Sequence, residues 1–86
     1  MLGQIVSSKS GRDKGCFLAI VKEENGVVFV CDGKKRPLDR PKSKNVKHLQ
    51  FTNTVLTADC FKSDRSLRKA LAIYRDKNSR EETLNG

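Results

Sequence analysis

The chain is poor in aromatic side chains. Its 86 residues include no tryptophan, one tyrosine and four phenylalanines. Proteins that bind single-stranded nucleic acid by stacking present aromatic side chains in series, and the five rings of this chain are too scattered along the sequence for that. We therefore expect most of these rings to lie in the hydrophobic core: Phe17, Phe29, Phe51, Phe61 and Tyr74.

The chain has a single histidine, His48. Acid–base catalysis would require a nucleophile or a carboxylate held against it, and the sequence contains no such pattern. A phosphate-binding Gly-x-x-x-x-Gly-Lys loop and a nucleophile elbow are missing too. We therefore predict no enzyme, no cofactor and no small-molecule substrate. His48 is expected to pack or to hydrogen-bond locally, with contact to a nucleic-acid base as the alternative.

Cysteine is sparse, and its positions do not pair. Cys16, Cys31 and Cys60 are an odd number without a Cys-x-x-Cys spacing, so even with His48 they form no zinc pattern and we predict no metal site. We expect Cys16 and Cys31 to be small buried residues.

The N-terminus lacks a signal-peptide pattern, and no apolar run approaches the ~20 residues of a membrane span. Free thiols then indicate a reducing, cytoplasmic location without a membrane partner.

Positive charge dominates what is present. Eighteen Lys and Arg residues stand against ten Asp and Glu residues, which gives a formal net charge of +8. A field of this sign attracts polyanions and accelerates their encounter with the protein. In a chain long enough for only one small domain, it predicts nucleic-acid binding. The alternative is a solvated surface with a basic bias.

The first half of the chain predicts short strands joined by tight turns. Residues 3–8, 16–22 and 27–32 each carry a short apolar run bounded by turn residues. Asn25 and Gly26 both tolerate positive φ, so they predict a two-residue hairpin between the second and third strands. Closely spaced short strands of this kind favour a small barrel, which leaves no exposed strand edges.

The two prolines, Pro37 and Pro41, interrupt residues 33–44. Because proline cannot donate to a central strand ladder, this segment predicts a turn with at most a short edge strand around Leu38. Residues 45–51 follow as a predicted closing strand, in which the alternation of apolar residues slips by one and indicates a bulge or a bend. Its apolar side chains are Val46, Leu49 and Phe51.

The last third of the chain predicts one helix. Ser63 or Asp64 caps a helix over residues 63–77, after a connector over residues 53–62 and before a flexible tail at 78–86. An apolar stripe at helical spacing comprises Leu67, Leu71 and Tyr74, with Ala70 and Ile73 beside it. We expect this stripe to dock on the strands; a partner-binding face is the alternative.

Residues 6–33, VSSKSGRDKGCFLAIVKEENGVVFVCDG, resemble a KOW motif, in which a strand, a basic loop with glycines, a second strand, a turn and a third strand follow one another. Residues 44–52, KNVKHLQFT, are similar to the segment that closes the barrel of such domains. The resemblance spans residues 2–52. The glycines and apolar strand residues of the motif are matched by Gly11, Gly15, Leu18, Ile20 and Val21.

In these features the chain resembles the KOW-type large-subunit ribosomal proteins of archaea and eukaryotes and the short KOW RNA-binding proteins of Gram-positive bacteria. The resemblance implies a mainly β fold: an SH3-like five-stranded barrel over residues 1–52, followed by the C-terminal helix. It implies a non-catalytic protein, expected as a monomer, that docks on structured RNA, in particular ribosomal RNA, beside ribosomal proteins. The alternative is a protein-interaction module of the transcription or translation machinery, which binds through the barrel edge or the helix.

Three groups of residues are predicted to contact RNA. The first loop, residues 9–15, combines glycines that let the backbone approach with cations for phosphate; its members are Lys9, Ser10, Gly11, Arg12, Lys14 and Gly15. The second group is Lys34, Lys35, Arg36, Arg40, Lys42, Lys44, Lys47 and His48. The helix group is Arg65, Arg68 and Lys69. We expect the first loop and the second group to share one side of the barrel; for the first loop and the helix group, simple solvation is the alternative.

Overall fold

A computed structural model describes the backbone of residues 1–9 and 15–85, with side chains for residues 1–9 and 15–77. Over these residues the chain forms five strands, two short 3₁₀ turns and one helix. The strands are β1 (Gln4–Ser8), β2 (Phe17–Glu24), β3 (Val27–Cys31), β4 (Lys42–Asn45) and β5 (Leu49–Val55). The 3₁₀ turns are Val46–His48 and Ala58–Phe61, and helix α1 is Asp64–Asn85.

The strands form one antiparallel sheet in the order β4-β3-β2-β1-β5. The predicted hairpin between β2 and β3 is confirmed, because Glu24 pairs with Val27 and leaves a two-residue turn. Asn25 and Gly26 in that turn both have positive φ, 47° and 81°, as a two-residue hairpin turn requires. The mainly β fold with one C-terminal helix is confirmed as well.

The sheet curls on itself without closing. A register shift between Ile20 and Lys22 marks a bulge in β2, and a bulge bends its strand and increases the local twist. The curl brings β4 to the end of β1, where Lys44 Nζ donates to Ser8 Oγ across 3.2 Å. Among the described strands, however, β4 and β5 do not pair. The predicted closed barrel is therefore an open sheet with an SH3-like strand order, and the 3₁₀ turn at Val46–His48 connects its two edge strands.

Two hydrophobic clusters lie on opposite faces of the sheet. Successive residues of a strand point to opposite faces, so β2 contributes Leu18 and Ile20 to one cluster and Ala19 to the other. The inner cluster is Val6, Leu18, Ile20, Val28, Val30 and Leu49. The outer cluster is Ile5, Ala19, Cys31, Leu67 and Leu71. The start of β2 is consequently buried on both sides.

Helix α1 supplies the cover of the outer face. Leu67 and Leu71 are buried against the sheet, and the ring of Tyr74 meets that of Phe17 edge to face, with centroids 5.1 Å apart. Ser63 caps the helix, since its Oγ accepts the backbone N–H three residues later at 3.1 Å. The predicted docking of the apolar stripe on the strands is confirmed.

The turn predicted around Leu38 is present: it is closed by a 2.9 Å bond from Arg40 N–H to the carbonyl of Pro37. The short edge strand is β4, after the second proline. Two other local predictions are wrong. Residues 46–48 form a 3₁₀ turn, so the closing strand begins at Leu49 and the slip in alternation is explained. Helix α1 continues to Asn85, eight residues beyond the predicted end.

Some residues expected in the core lie at the surface. Cys16 is exposed because it precedes β2 at the base of the first loop. Val46 is exposed in the 3₁₀ turn, and Phe51 is 42% exposed on β5. Ile73, beside the helix stripe, is 59% exposed, because two residues along a helix turn a side chain about 200° away from Leu71. The other four aromatic rings are partly buried.

Candidate nucleic-acid interface

The ends of the first loop are fixed by backbone hydrogen bonds. Gly15 N–H donates to the carbonyl of Ser8 at 3.0 Å, and Ser8 N–H donates to that of Cys16 at 3.3 Å. These bonds extend the β1–β2 ladder to Gly15, the last residue of the loop. Four predicted contact residues lie outside the described part of the chain: Ser10, Gly11, Arg12 and Lys14.

One flank of the loop base meets the second group. Lys9 N–H donates to the carbonyl of His48 at 2.9 Å, so the residue that opens the loop lies against the 3₁₀ turn. Ser8, one residue earlier, accepts the bond from Lys44 Nζ. Lys9 and His48 are exposed and Lys44 is half-buried. Residues about 40 positions apart in sequence are thus brought together at one end of β1.

The other flank of the loop base is a cleft of about 360 Å³, here called the basic cleft. Three elements build it: the start of β2, the turn after β3 and one side of helix α1. Its basic side chains, all exposed, are Lys34, Lys35, Arg68 and Arg75. The other lining residues are Gly15, Cys16, Phe17, Asp32, Leu71 and Ala72. Of the second group, Lys34 and Lys35 thus line the same cleft as Gly15, the last residue of the first loop.

The turn that carries these lysines is organised by Asp32. Its Oδ1 accepts the backbone N–H groups of Lys34 and Arg36, at 2.8 and 2.9 Å. In return, the N–H groups of Asp32 and Gly33 donate to the carbonyl of Arg36 at 3.0 and 3.2 Å. The turn is short and closed on both sides, so the backbone that carries Lys35 is held in place.

The docking of helix α1 divides the helix group. Arg68 lines the basic cleft, whereas Arg65 and Lys69 are exposed and do not line it. Arg75 lines the cleft too but is missing from the predicted set. The signal for it was present: Arg75 follows Arg68 by seven residues, two helical turns, and residues at that spacing share a face.

The remaining predicted cations are more dispersed. Arg36 is half-buried and Arg40 is exposed in the turn after Pro37. Lys42 pairs with Val30 at the start of β4, and exposed Lys47 lies in the 3₁₀ turn, where its N–H donates to Asn45 Oδ1 at 2.9 Å. None of these four lines the basic cleft.

The three cysteines are free thiols, and their environments differ. Cys31 is fully buried and its Sγ lies 3.4 Å from the carbonyl oxygen of Pro37, whereas Cys16 is exposed and Cys60 is half-buried. Burial, followed by the nearby carboxylates of Asp64, Asp32 and Asp39, raises the pKa of the Cys31 thiol to about 11. Within the described residues, no three His, Cys, Asp or Glu side chains are grouped to hold a metal ion.

Comparison of the chain with models of protein families gives no match, and comparison with curated proteins gives none either. The likeness to KOW domains therefore rests on the residues quoted above. In the part of the chain that is described, no helix combines the length and the apolar character needed to cross a membrane.

Proposed function

We propose that the protein binds structured RNA without catalysing a reaction, and that its target is ribosomal RNA. The observation that carries this proposal is the convergence of cations on the base of the first loop. Lys44 reaches it on one flank, and Lys34 and Lys35 border it on the other. Free thiols at all three cysteines support a reducing, cytoplasmic location.

Binding begins with electrostatic capture. Lys and Arg side chains replace the counterions of the phosphates, which supplies affinity without sequence preference. Folded RNA is then recognised by its shape and by contacts with phosphates and 2′-hydroxyl groups. The turn held by Asp32 presents Lys34 and Lys35 on a fixed backbone, so less conformational entropy is lost on binding.

The experiment compares two charge-matched double variants. Lys34→Gln with Lys35→Gln removes two cations of the basic cleft; Lys22→Gln with Lys62→Gln removes two exposed cations outside it, which face Glu24 and Asp59. Both variants have the same net charge. Affinity for purified ribosomal RNA is measured by filter binding between about 50 and 200 mM salt.

The cleft variant should bind at least about tenfold more weakly, and its slope of log affinity against log salt should fall by about one per lysine that contacts a phosphate. The control variant should keep most of the affinity. Equal losses in both variants would show that only total charge matters and would place the interface elsewhere. Crosslinking in cells, followed by sequencing of the bound RNA, tests whether that RNA is ribosomal.

A second candidate function is protein binding through the edge of the sheet. It is favoured by one observation: edge strand β5 exposes Phe51 and Val55, which are 42% and 46% exposed. The apolar stripe of the helix is not available to bind a partner protein, because Leu67 and Leu71 are buried against the sheet. A partner that stays bound after nuclease treatment would support the second candidate, and loss of all partners would support RNA binding.

A further inference from the structure

We infer that the basic cleft receives a single unpaired nucleotide of the bound RNA, with the base inside the cleft and its phosphate among the surrounding cations. The inference rests on the proposed function, because it names the RNA feature that the same surface recognises. It concerns RNA with a bulged or looped-out nucleotide rather than a continuous duplex.

The cleft has two chemically different parts. Its inner surface is apolar: Leu71 is 6% exposed, and Phe17 and Ala72 are half-buried. Its border is cationic, since Lys34 and Arg68 are exposed. A duplex backbone alone would use only the cations, whereas a nucleotide offers a flat apolar base and an anionic phosphate at once.

The volume fits one nucleotide. At about 360 Å³ the cleft lies near the lower end of the range for small-ligand sites, about 300–1,000 Å³. It is also held in shape from two sides. The ring of Phe17 is fixed edge to face against Tyr74, and the turn at Asp32 is closed by its own hydrogen bonds. A cleft with fixed walls takes a flipped-out base at low ordering cost.

Asp32 argues for a base rather than a second phosphate. It is an acidic residue on the lining of the cleft, and a carboxylate repels a ligand that offers only phosphate oxygens. Although Oδ1 of Asp32 already accepts the N–H groups of Lys34 and Arg36, the N–H groups on the edge of an unpaired base can donate to its Oδ2. In a duplex those groups are occupied by base pairing, so the selectivity is for an unpaired nucleotide.

The test uses two hairpin RNAs that differ only in one bulged nucleotide, labelled with 2-aminopurine at the bulge. The full-length protein is compared with Ala72→Leu, which fills part of the cleft. Ala70→Leu is the matched control, because Ala70 is a half-buried alanine of the same helix that does not line the cleft. Thermal unfolding first establishes that both variants are folded.

The wild-type protein should bind the bulged hairpin about 5- to 150-fold more tightly than the paired one, the range expected for one stacked base. The 2-aminopurine fluorescence should change on binding. Ala72→Leu should abolish the preference and the fluorescence change while keeping its affinity for the paired hairpin within about twofold. Ala70→Leu should retain both.

The outcomes separate the inference from the proposed function. Wild-type protein that binds both hairpins equally would overturn the inference and leave RNA binding intact; failure to bind either hairpin would overturn RNA binding itself. Displacement of the bulged RNA by adenosine 5′-monophosphate at similar concentration would assign the cleft to a free nucleotide and also overturn the inference. If Ala72→Leu does not fold, Arg75→Gln at the exposed border should reduce binding of the bulged hairpin more than that of the paired one, and an equal reduction would count against the inference.

Discussion

A side chain at Gly33 would collide with the backbone carbonyl oxygen of Asp64, the first residue of helix α1. The same Cβ would lie 3.0 Å from the backbone nitrogen of Arg68. The turn after β3 and the first turn of the helix therefore pack backbone against backbone. This contact sets how far Lys34 and Lys35 lie from Arg68, and so it sets the width of the basic cleft.

Gly33→Ala should lower the free energy of unfolding by about 3 kcal/mol or more. Part of this loss arises because alanine is strained at a positive φ of 80°. The rest arises because the added Cβ would push helix α1 away from the turn. Gly26→Ala is the matched control. Its φ is 81°, but an added Cβ has nothing within 4 Å, so it should lose only about 1–2 kcal/mol. Chemical denaturation of both variants measures the difference, and similar losses would mean that Gly33 has room for a side chain.

The carboxylate of Asp64 joins the same two elements by a hydrogen bond. Its Oδ1 accepts the N–H of Leu38 at 2.7 Å, and its charge stabilises the helix N-terminus. Asp64→Ala should reduce the free energy of unfolding by about 2 kcal/mol. Asp64→Asn keeps an acceptor oxygen and should lose about half as much. If urea denaturation finds the two substitutions equal, the hydrogen bond contributes little.

Two apolar residues of helix α1 should differ widely in their response to truncation. Leu67 is fully buried and Ile73 is 59% exposed. Leu67→Ala should cost about 2–5 kcal/mol, because it removes buried apolar contacts and leaves a cavity. Ile73→Ala should change the free energy of unfolding by no more than about 0.5 kcal/mol. A small effect at Leu67 would contradict the docking of the helix on the sheet.

The stability of the protein should fall in alkaline solution through Cys31. Its thiol keeps its proton up to a pKa of about 11 when folded, against 9.0 ordinarily. The folded chain therefore keeps a proton that the unfolded chain loses between pH 9 and pH 11. The stabilisation that the protonated thiol gives is fully present below pH 9. It is lost as the pH rises through 11, which lowers the free energy of unfolding by at most about 2.7 kcal/mol.

Cys31→Ala isolates this effect, because the two proteins differ only at this side chain. Unfolding free energies measured from pH 8 to pH 11 should decline more steeply for the wild type than for Cys31→Ala. Parallel curves would show that the thiol of Cys31 does not titrate differently in the folded and unfolded chains.

Local signals in the sequence predict the hairpin and the start of the helix correctly. Asn25 and Gly26 specify their turn by their own φ preferences, and Ser63 caps the helix through a hydroxyl three residues from its donor. The 3₁₀ turn at Val46–His48 is different, because it lies where the chain passes from one edge strand of the sheet, β4, to the other, β5. In the sequence, the apolar and basic residues of this turn follow one another as they would in an alternating strand.

The basic cleft could be predicted only in part. The cations of the turn after β3 are evident from the charge pattern, and spacing places Arg68 and Arg75 on one face of the helix, but which face of the helix meets the cleft is not evident. Arg68 and Arg75 border the cleft only because Leu67 and Leu71 fix the rotation of α1 on the sheet. Burial of Leu71 and the partial burial of Phe17 also follow from tertiary packing, so the apolar part of the cleft has no local signature.

The burial of β2 on both faces has a consequence for the newly made chain. The hairpin of β2 and β3 is complete once Cys31 has been synthesised, but the outer face that includes Ala19 stays uncovered until Leu71 follows, 40 residues later. At a translation rate of about 5–20 residues per second, this interval lasts about 2–8 s. During that time the apolar side chains on this face of the hairpin have no helix to cover them.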